Sequence, residues 1–223
     1  MNLSKSLEYF NPSTIKDKIH IIGCGSVGST LAENFVRCGL TSLVLWDMDI
    51  VEPKNIVNQM FYERHINNKK TEALLDILKD INPDVEKKTK LKSDGWKGET
   101  LSGYIFLCVD NIELRKEIVE KHMNNPMVKA VFDFRTLLES AQHYAADWSN
   151  TKMKEDLLNT MQFSHEEATA ETPTSACGIT LGVCTTVRVI VALGVANFIR
   201  FTKGQGIKKL MLLDLESFAV DAF

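Results

Sequence analysis

The sequence has no C-x-x-C pair: its five cysteines stand singly at positions 24, 38, 108, 177 and 184. An odd count without paired spacing argues against a disulfide framework and against a structural zinc site. The five histidines show neither H-x-x-x-H nor H-E-x-x-H spacing, so none reads as a metal ligand, and His20 reads as a packed residue of the first strand. An excess of one charge is missing too. Lys plus Arg number 26 and Asp plus Glu 29, a net charge of −3, which excludes a strong basic field for nucleic acid or an anionic membrane. The opening MNLSKSLEYFNPS holds no apolar stretch of signal-peptide type. Apolar runs are short: 189–196 is eight residues, and the wider stretch 179–201 carries Thr185, Thr186 and Arg188, so a buried helix is expected rather than a membrane span. Internal repeats and low-complexity tracts are absent. A reducing, cytoplasmic setting is the expectation, with no nucleic-acid or membrane partner.

What is present fits one domain over 1–223. At 44% apolar and 25% charged, a chain of 223 residues can bury a core without staples. Strand and helix patterns alternate through residues 1–135. Strands are predicted at 18–22, 43–46, 85–91, 104–109 and 128–134. Helices follow Gly28, run on from Lys70 through Ala73, Leu74, Ile77 and Leu78, and cover 111–123. Lysines 87, 88, 90 and 92 read as a solvated edge. Such alternation implies parallel strands with right-handed crossovers. From 136 to 223 the pattern changes. It gives an added strand at 140–148, a polar crossover over 149–176 with a short helix near 152–161, a long helix at 179–201, and a final strand at 209–213. The fold class expected is α/β: a Rossmann-like three-layer fold, mostly parallel, with antiparallel additions toward the C-terminus.

Four groups of residues carry chemistry. Gly23-x-Gly25-x-x-Gly28 lies between a predicted strand and a predicted helix. There, unpaired N–H groups and the helix dipole favour a phosphate, and missing side chains let it approach. Asp47, 19 residues after Gly28 at the end of the second strand, can accept from ribose hydroxyls, as suits NAD and adenine nucleotides alike. Asp49, Asn55, Asn58, Gln59 and Lys70 follow, and Asp110-Asn111 stands at the tip of a buried strand with Arg115 beyond. A lysine that neutralises phosphate and a carboxylate that holds Mg²⁺ are what an ATP site needs and a nicotinamide site does not.

In this order the motifs resemble those of the ThiF/MoeB/HesA family, relatives of the ubiquitin-activating enzymes. The resemblance rests on Gly23-x-Gly25-x-x-Gly28, Asp47-x-Asp49, Asn55-x-x-Asn58-Gln59, Lys70 and Asp110-Asn111-x-x-x-Arg115. It is close over 16–135 and looser to about 215. It implies binding of ATP and Mg²⁺ and attack of a substrate carboxylate on the α-phosphorus, giving an acyl-adenylate and pyrophosphate. The carboxylate would be the C-terminus of a ubiquitin-like protein or of a peptide, and the enzyme a homodimer. Carried over, Gly23, Gly25, Ser26 and Gly28 approach the phosphates and Asp47 holds the ribose. Asn55, Gln59 and Lys70 orient and neutralise the triphosphate, Asp49 and Asn58 complete the nucleotide-binding set, and Asp110 coordinates Mg²⁺.

Three departures stand out. Asn58 occupies a position that is commonly arginine in the family, residues 1–17 contain no arginine, and the zinc-binding C-x-x-C pairs are absent. Arg64 or Lys69 is the candidate substitute cation. Cys177, after the polar crossover, stands where thiol-using relatives carry an acyl-accepting cysteine; it reads either as that group, acidified at a helix N-terminus, or as a small packed residue. Cys184 is expected two turns along the same helix in the core, and Cys24 is expected to pack. Asp133 and Arg135 either shape a substrate channel or pair with each other. A non-catalytic, activator-like scaffold or dimer subunit is the alternative function, and a nicotinamide-dependent oxidoreductase a third.

Overall fold

A computed structural model describes residues 1–164, 166–167, 174 and 181–223. Its elements run β1 (Ile19–Ile22), α1 (Ser26–Arg37), β2 (Leu43–Trp46), α2 (Lys70–Ile81), α3 (Val85–Lys88), β3 (Lys90–Lys92), β4 (Gly103–Leu107), α4 (Ile112–His122), β5 (Val128–Thr136), β6 (Ser140–Asp147), α5 (Thr151–Asn159), α6 (Cys184–Thr202), β7 (Leu210–Asp214) and β8 (Ala219–Ala222). All eight strands form one sheet in the order β3-β2-β1-β4-β5-β6-β7-β8. The first five are parallel, and β6, β7 and β8 add on antiparallel. The α/β three-layer architecture expected from the sequence is the one found.

The central strands form because their side chains are buried on both faces. β1, β2 and β4 are buried at every position, as their unbroken apolar runs require of a covered parallel sheet. α1, α2 and α6 cover one face over a core that includes Leu31, Phe35, Leu74, Phe106, Phe132 and Phe198. α4 and α5 cover the other, over Trp46, Trp96, Ile105, Ile118, Trp148 and Leu157. Phe106 and Phe132 stack at 4.7 Å, and Phe198 of α6 meets both edge-on. Each fully buried phenylalanine contributes roughly 2–3 kcal/mol.

Several sequence expectations need correction. The stretch 85–91 is not one strand. Asn82 turns the chain by accepting the Asp84 N–H at 3.2 Å, Val85 is fully buried in the single turn of α3, and only Lys90–Lys92 pairs with β2. Lys87 and Lys88 therefore sit in a helical turn, and Lys90 and Lys92 alone mark the exposed edge. The strand at 209–213 is not the last: β8 follows at the sheet's edge with all four residues exposed, so no apolar pattern marks it. The long helix expected over 179–201 has Val183 as its N-cap and begins at Cys184, so Cys184 is a half-buried first-turn residue rather than part of the core. α6 is long and apolar enough to cross a membrane by length and composition alone, and half of its most apolar window is buried against the rest of the chain. Cys177 lies outside the described residues.

Two buried histidines tie strands together in their neutral forms. Trp46 donates its indole N–H to His20 Nδ1 at 3.1 Å. His143, fully buried on β6, lies 3.2 Å through Nδ1 from the Asp133 carbonyl, to which it donates, and 3.3 Å through Nε2 from the Asn197 amide nitrogen, from which it accepts. Burial pushes both pKa values down from 6.5 to about 4. A depressed histidine pKa means the unfolded chain takes up the proton first, so stability is full above pH 6.5 and falls as pH drops toward 4. The expected loss at pH 5 is about 2 kcal/mol per histidine. Urea unfolding at pH 7 and pH 5 measures it, and His143→Gln, which has no ring to protonate, is expected to reduce the difference.

Candidate functional site

The site gathers at the C-terminal ends of β1, β2 and β4, on either side of the point where strand order reverses, the usual position of a ligand crevice in open α/β sheets. β1 leads into the glycine turn and α1. Gly23 has φ +94°, and a Cβ on it would lie 2.9 Å from the Cys108 carbonyl group beyond β4. A Cβ on Gly28 would lie 1.8 Å from the Gly23 carbonyl oxygen. The first glycine permits the turn and the third lets α1 press on β1, leaving the first N–H groups of α1 facing outward. Gly25 is different: the nearest atom to a Cβ there is Gln59 Nε2 at 4.0 Å, so the space over it is open.

Asp47 holds this turn from the neighbouring strand. Its Oδ2 accepts the Cys24 N–H at 2.7 Å and its Oδ1 accepts the Asp49 N–H at 2.8 Å. Burial raises its pKa, offset in part by the Lys70 ammonium and the two backbone donors. Asp49 in turn pairs with Lys70 at 2.8 Å. Lys70 opens α2 and is buried, with its ammonium on Asp49, so the cation is aimed and held rather than swinging in water. Cys24 is fully buried, and burial, reinforced by the Asp47 charge, raises its thiol pKa well above the usual value. It packs, as expected, and is not a nucleophile.

The 3-10 turn Pro53–Val57 lays the next residues over the glycines. Asn55 is buried, and its Oδ1 accepts the Glu52 N–H at 2.8 Å to cap that turn. The Met60 N–H reaches Ser29 Oγ at 3.2 Å and ties the segment to α1. Gln59 is thereby set over Gly25, with its Oε1 buried and lacking a hydrogen-bond partner among the described residues. An orphaned acceptor costs about 1–3 kcal/mol and marks a place for a donor from a ligand or water. Asn58 faces the returning chain, its Nδ2 2.7 Å from where a Cβ on Gly182 would sit. Ser26 is half-buried at the start of α1.

At the β4 tip Asp110 is exposed, and its carboxylate joins no ion pair among the described residues. Asn111 caps α4 by accepting the Leu114 N–H at 2.8 Å. Arg115 turns inward to Asp133 and so belongs to the scaffold of the tip. Asp133 and Arg135 do pair, at 2.8 Å. Arg64 is spent elsewhere, on Asp76 and Asp80 of α2 and over the Tyr62 ring, while Lys69 donates to the Met48 carbonyl. Gly23, Gly25, Ser26, Gly28, Asp47, Asp49, Gln59 and Lys70 thus come together, and Asp110 stands on the neighbouring strand tip. Sequence reasoning missed Ser29, whose hydroxyl gives no motif, and Gly182, which no local pattern connects to Asn58.

The residues present fit a nucleoside triphosphate: a cradle open at Gly25, outward N–H groups, an unpartnered amide oxygen above it and a held ammonium. Asp110 fits a hard cation such as Mg²⁺, which needs one or two carboxylates and keeps several waters.

The sequence profile of the ThiF family matches residues 14–220. Ubiquitin-like modifier-activating enzyme 5 of Branchiostoma floridae is 35% identical over 126 residues, covering 48% of this chain and 31% of that protein. The Caenorhabditis elegans protein of the same name is 36% identical over 121 residues, 47% and 29% of the two chains. The chain therefore aligns with about a third of the length of these curated relatives. Among solved structures, Escherichia coli MccB with AMPCPP and MccA superposes with a TM-score of 0.71 at 14% identity, covering 95% of this chain and 65% of MccB. PaaA superposes at 0.66 and 14%, covering 93% and 64%. At such identities the likeness is one of fold.

Gly28→Ala is expected to destabilise the fold by more than about 2 kcal/mol, because its methyl must displace backbone. Gly25→Ala, with room for a Cβ, is expected to stay within about 1 kcal/mol of the parent. Thermal or urea unfolding of the pair checks the contrast.

Proposed function

The chain belongs to the ThiF family, and from that premise we propose that it binds ATP with Mg²⁺ and adenylates a carboxylate, the C-terminus of a ubiquitin-like protein or of a peptide. The observation that carries this reading is the juxtaposition of the open glycine turn with the held Lys70 ammonium, 2.8 Å from Asp49. The orphaned Gln59 Oε1 above the turn supports it. That relatives of matching sequence are named ubiquitin-like modifier-activating enzymes, and that MccB has been crystallised with ATP and with MccA, points the same way.

In this reading a carboxylate oxygen forms a bond to the α-phosphorus while the bond to the β-phosphate bridging oxygen breaks and pyrophosphate leaves. The reaction needs placement and charge neutralisation, not a protein nucleophile. Backbone N–H groups of residues 25–28 donate to phosphate oxygens. Asp47, already anchored on Cys24 and Asp49, offers its remaining acceptor capacity to the ribose. Lys70 exchanges Asp49 for phosphate oxygens at short range. Asn55 holds the covering turn in shape, and Gln59 and Asn58 line it. Asp110 would hold Mg²⁺, and that cation would supply charge neutralisation for the phosphates. Ser26 supplies an N–H at the first turn of α1. Cys177 would accept the acyl group if a thioester step follows. A homodimer and a cytoplasmic setting complete the proposal.

ATP–pyrophosphate exchange tests it, run with a panel of peptides and ubiquitin-like proteins bearing free C-termini. Exchange is expected with the cognate carboxylate and is expected to fall at least about 100-fold in Asp110→Ala. Full exchange in that variant refutes the cation assignment. ATP binding without exchange against any partner selects the scaffold alternative, which the replacement of arginine by Asn58 favours.

A further inference from the structure

Asp133 is fully buried on β5, beside the strand tip that carries Asp110, and it binds two cations. Its Oδ1 accepts from Arg115 Nη1 of α4, and its Oδ2 accepts from Arg135 Nε at 2.8 Å. Arg115 spends its other donors on backbone. Nη1 also donates to the Phe134 carbonyl at 2.7 Å, and Nη2 donates to the carbonyl of Val109, the residue before Asp110. Arg135 extends the opposite way. It donates to the Thr160 carbonyl at 2.9 Å and to Thr160 Oγ1 at 2.7 Å. Its guanidinium lies over the rings of Tyr144, at 4.6 Å, and Phe163, at 5.7 Å. Thr160 ends α5, within the crossover stretch 149–176 that leads toward Cys177.

The geometry of a guanidinium makes this arrangement a choice between two states. Arginine and a carboxylate prefer a two-pronged pairing, both nitrogens on both oxygens. Arg115 does not make that pairing: it meets Oδ1 alone, while Oδ2 is taken by Arg135. Its second prong is therefore left for the Val109 carbonyl. Without Arg135, the vacated Oδ2 is a buried, unpartnered charge-bearing atom, which is costly. The other cation on this carboxylate is Arg115, and its turning toward Oδ2 for the two-pronged pairing draws Nη2 away from the Val109 carbonyl.

We propose that Arg135 is a positioning residue for Asp110: by occupying Oδ2 of Asp133 it keeps Arg115 on the Val109 carbonyl, and through Thr160 it ties that strand tip to the start of the crossover. The inference rests on the reading of Asp110 as the Mg²⁺ carboxylate. Arg135 touches neither nucleotide nor metal and acts through Asp133 and Arg115.

Two measurements on the full chain test it. Arg135→Met keeps an apolar stem over Tyr144 and Phe163 but donates nothing, Arg135→Lys restores one donor to Oδ2, and Arg135→Gln is a milder change should the methionine variant fail to fold. In ligand-free protein, amide hydrogen exchange at residues 109–111 is expected to quicken about 10-fold in Arg135→Met, less in Arg135→Gln, and to return toward the parent in Arg135→Lys. By calorimetry, ATP affinity in Mg²⁺ is expected to fall about 10-fold in Arg135→Met, the lower end of what supporting shells contribute, with ATP affinity in EDTA unchanged. Equal losses in Mg²⁺ and EDTA, or unaltered exchange at 109–111, overturn the inference and leave a structural role. A parent protein whose ATP affinity is the same with and without Mg²⁺ refutes the cation reading itself. A clear Mg²⁺ dependence that Arg135→Met retains overturns this inference alone.

Discussion

Everything at the crevice depends on how closely α1 presses on the end of β1. The Gly28 backbone touches the Gly23 carbonyl with no room for a methyl group, and that contact sets the direction of the helix and hence of its unpaired N–H groups. Asp47 then fixes the turn from the side by accepting the Cys24 N–H. Because Asp47 also accepts from Asp49, the same carboxylate sets the loop that presents a partner to Lys70. One backbone contact and one carboxylate thus couple three segments distant in sequence, and displacing either moves the ammonium as well as the glycines.

Much of this was legible in the sequence where burial is symmetrical and contacts are local. β1, β2 and β4 announce themselves because both faces are covered, so apolar residues run unbroken. The glycine spacing is readable because Gly28 answers a steric demand within a few residues, at the Gly23 carbonyl. The same local reasoning failed where a residue's role is set from far away. Val85 looks like a strand residue, yet the Asn82 side chain turns the chain into a helical turn and buries it. β8 has no apolar rhythm because it forms at an edge through backbone pairing with β7. Asn55 also accepts the Glu52 N–H through Oδ1 and caps a turn, a task that the motif does not announce. Arg64 looked like a spare cation, but two acids one turn apart on α2, Asp76 and Asp80, hold it away.

The position where arginine is commonly found in the family shows how such constraints trade against one another. Asn58 sits so near Gly182 that even a Cβ there would come within 2.7 Å of its amide nitrogen. The chain that returns from the crossover into α6 therefore packs on the covering turn through a small side chain facing a residue with none. A guanidinium at 58 reaching into this contact would push the returning segment outward. A cation at this point and a close seat for Gly182 thus compete for the same space, and this chain has the seat.

Charge near the crevice is then distributed differently. The ammonium of Lys70 is the cation held at the turn, while two guanidinium groups lie behind the strand tips, sharing the single carboxylate of Asp133. Their positions are fixed by carbonyls and a hydroxyl as much as by the acid, so one unit of positive charge remains uncompensated within that trio. Fields from buried charges are screened far less than those of surface pairs. Arg115 lies on α4 beyond Asp110, so part of that positive charge is held behind the strand tip that carries the proposed cation site.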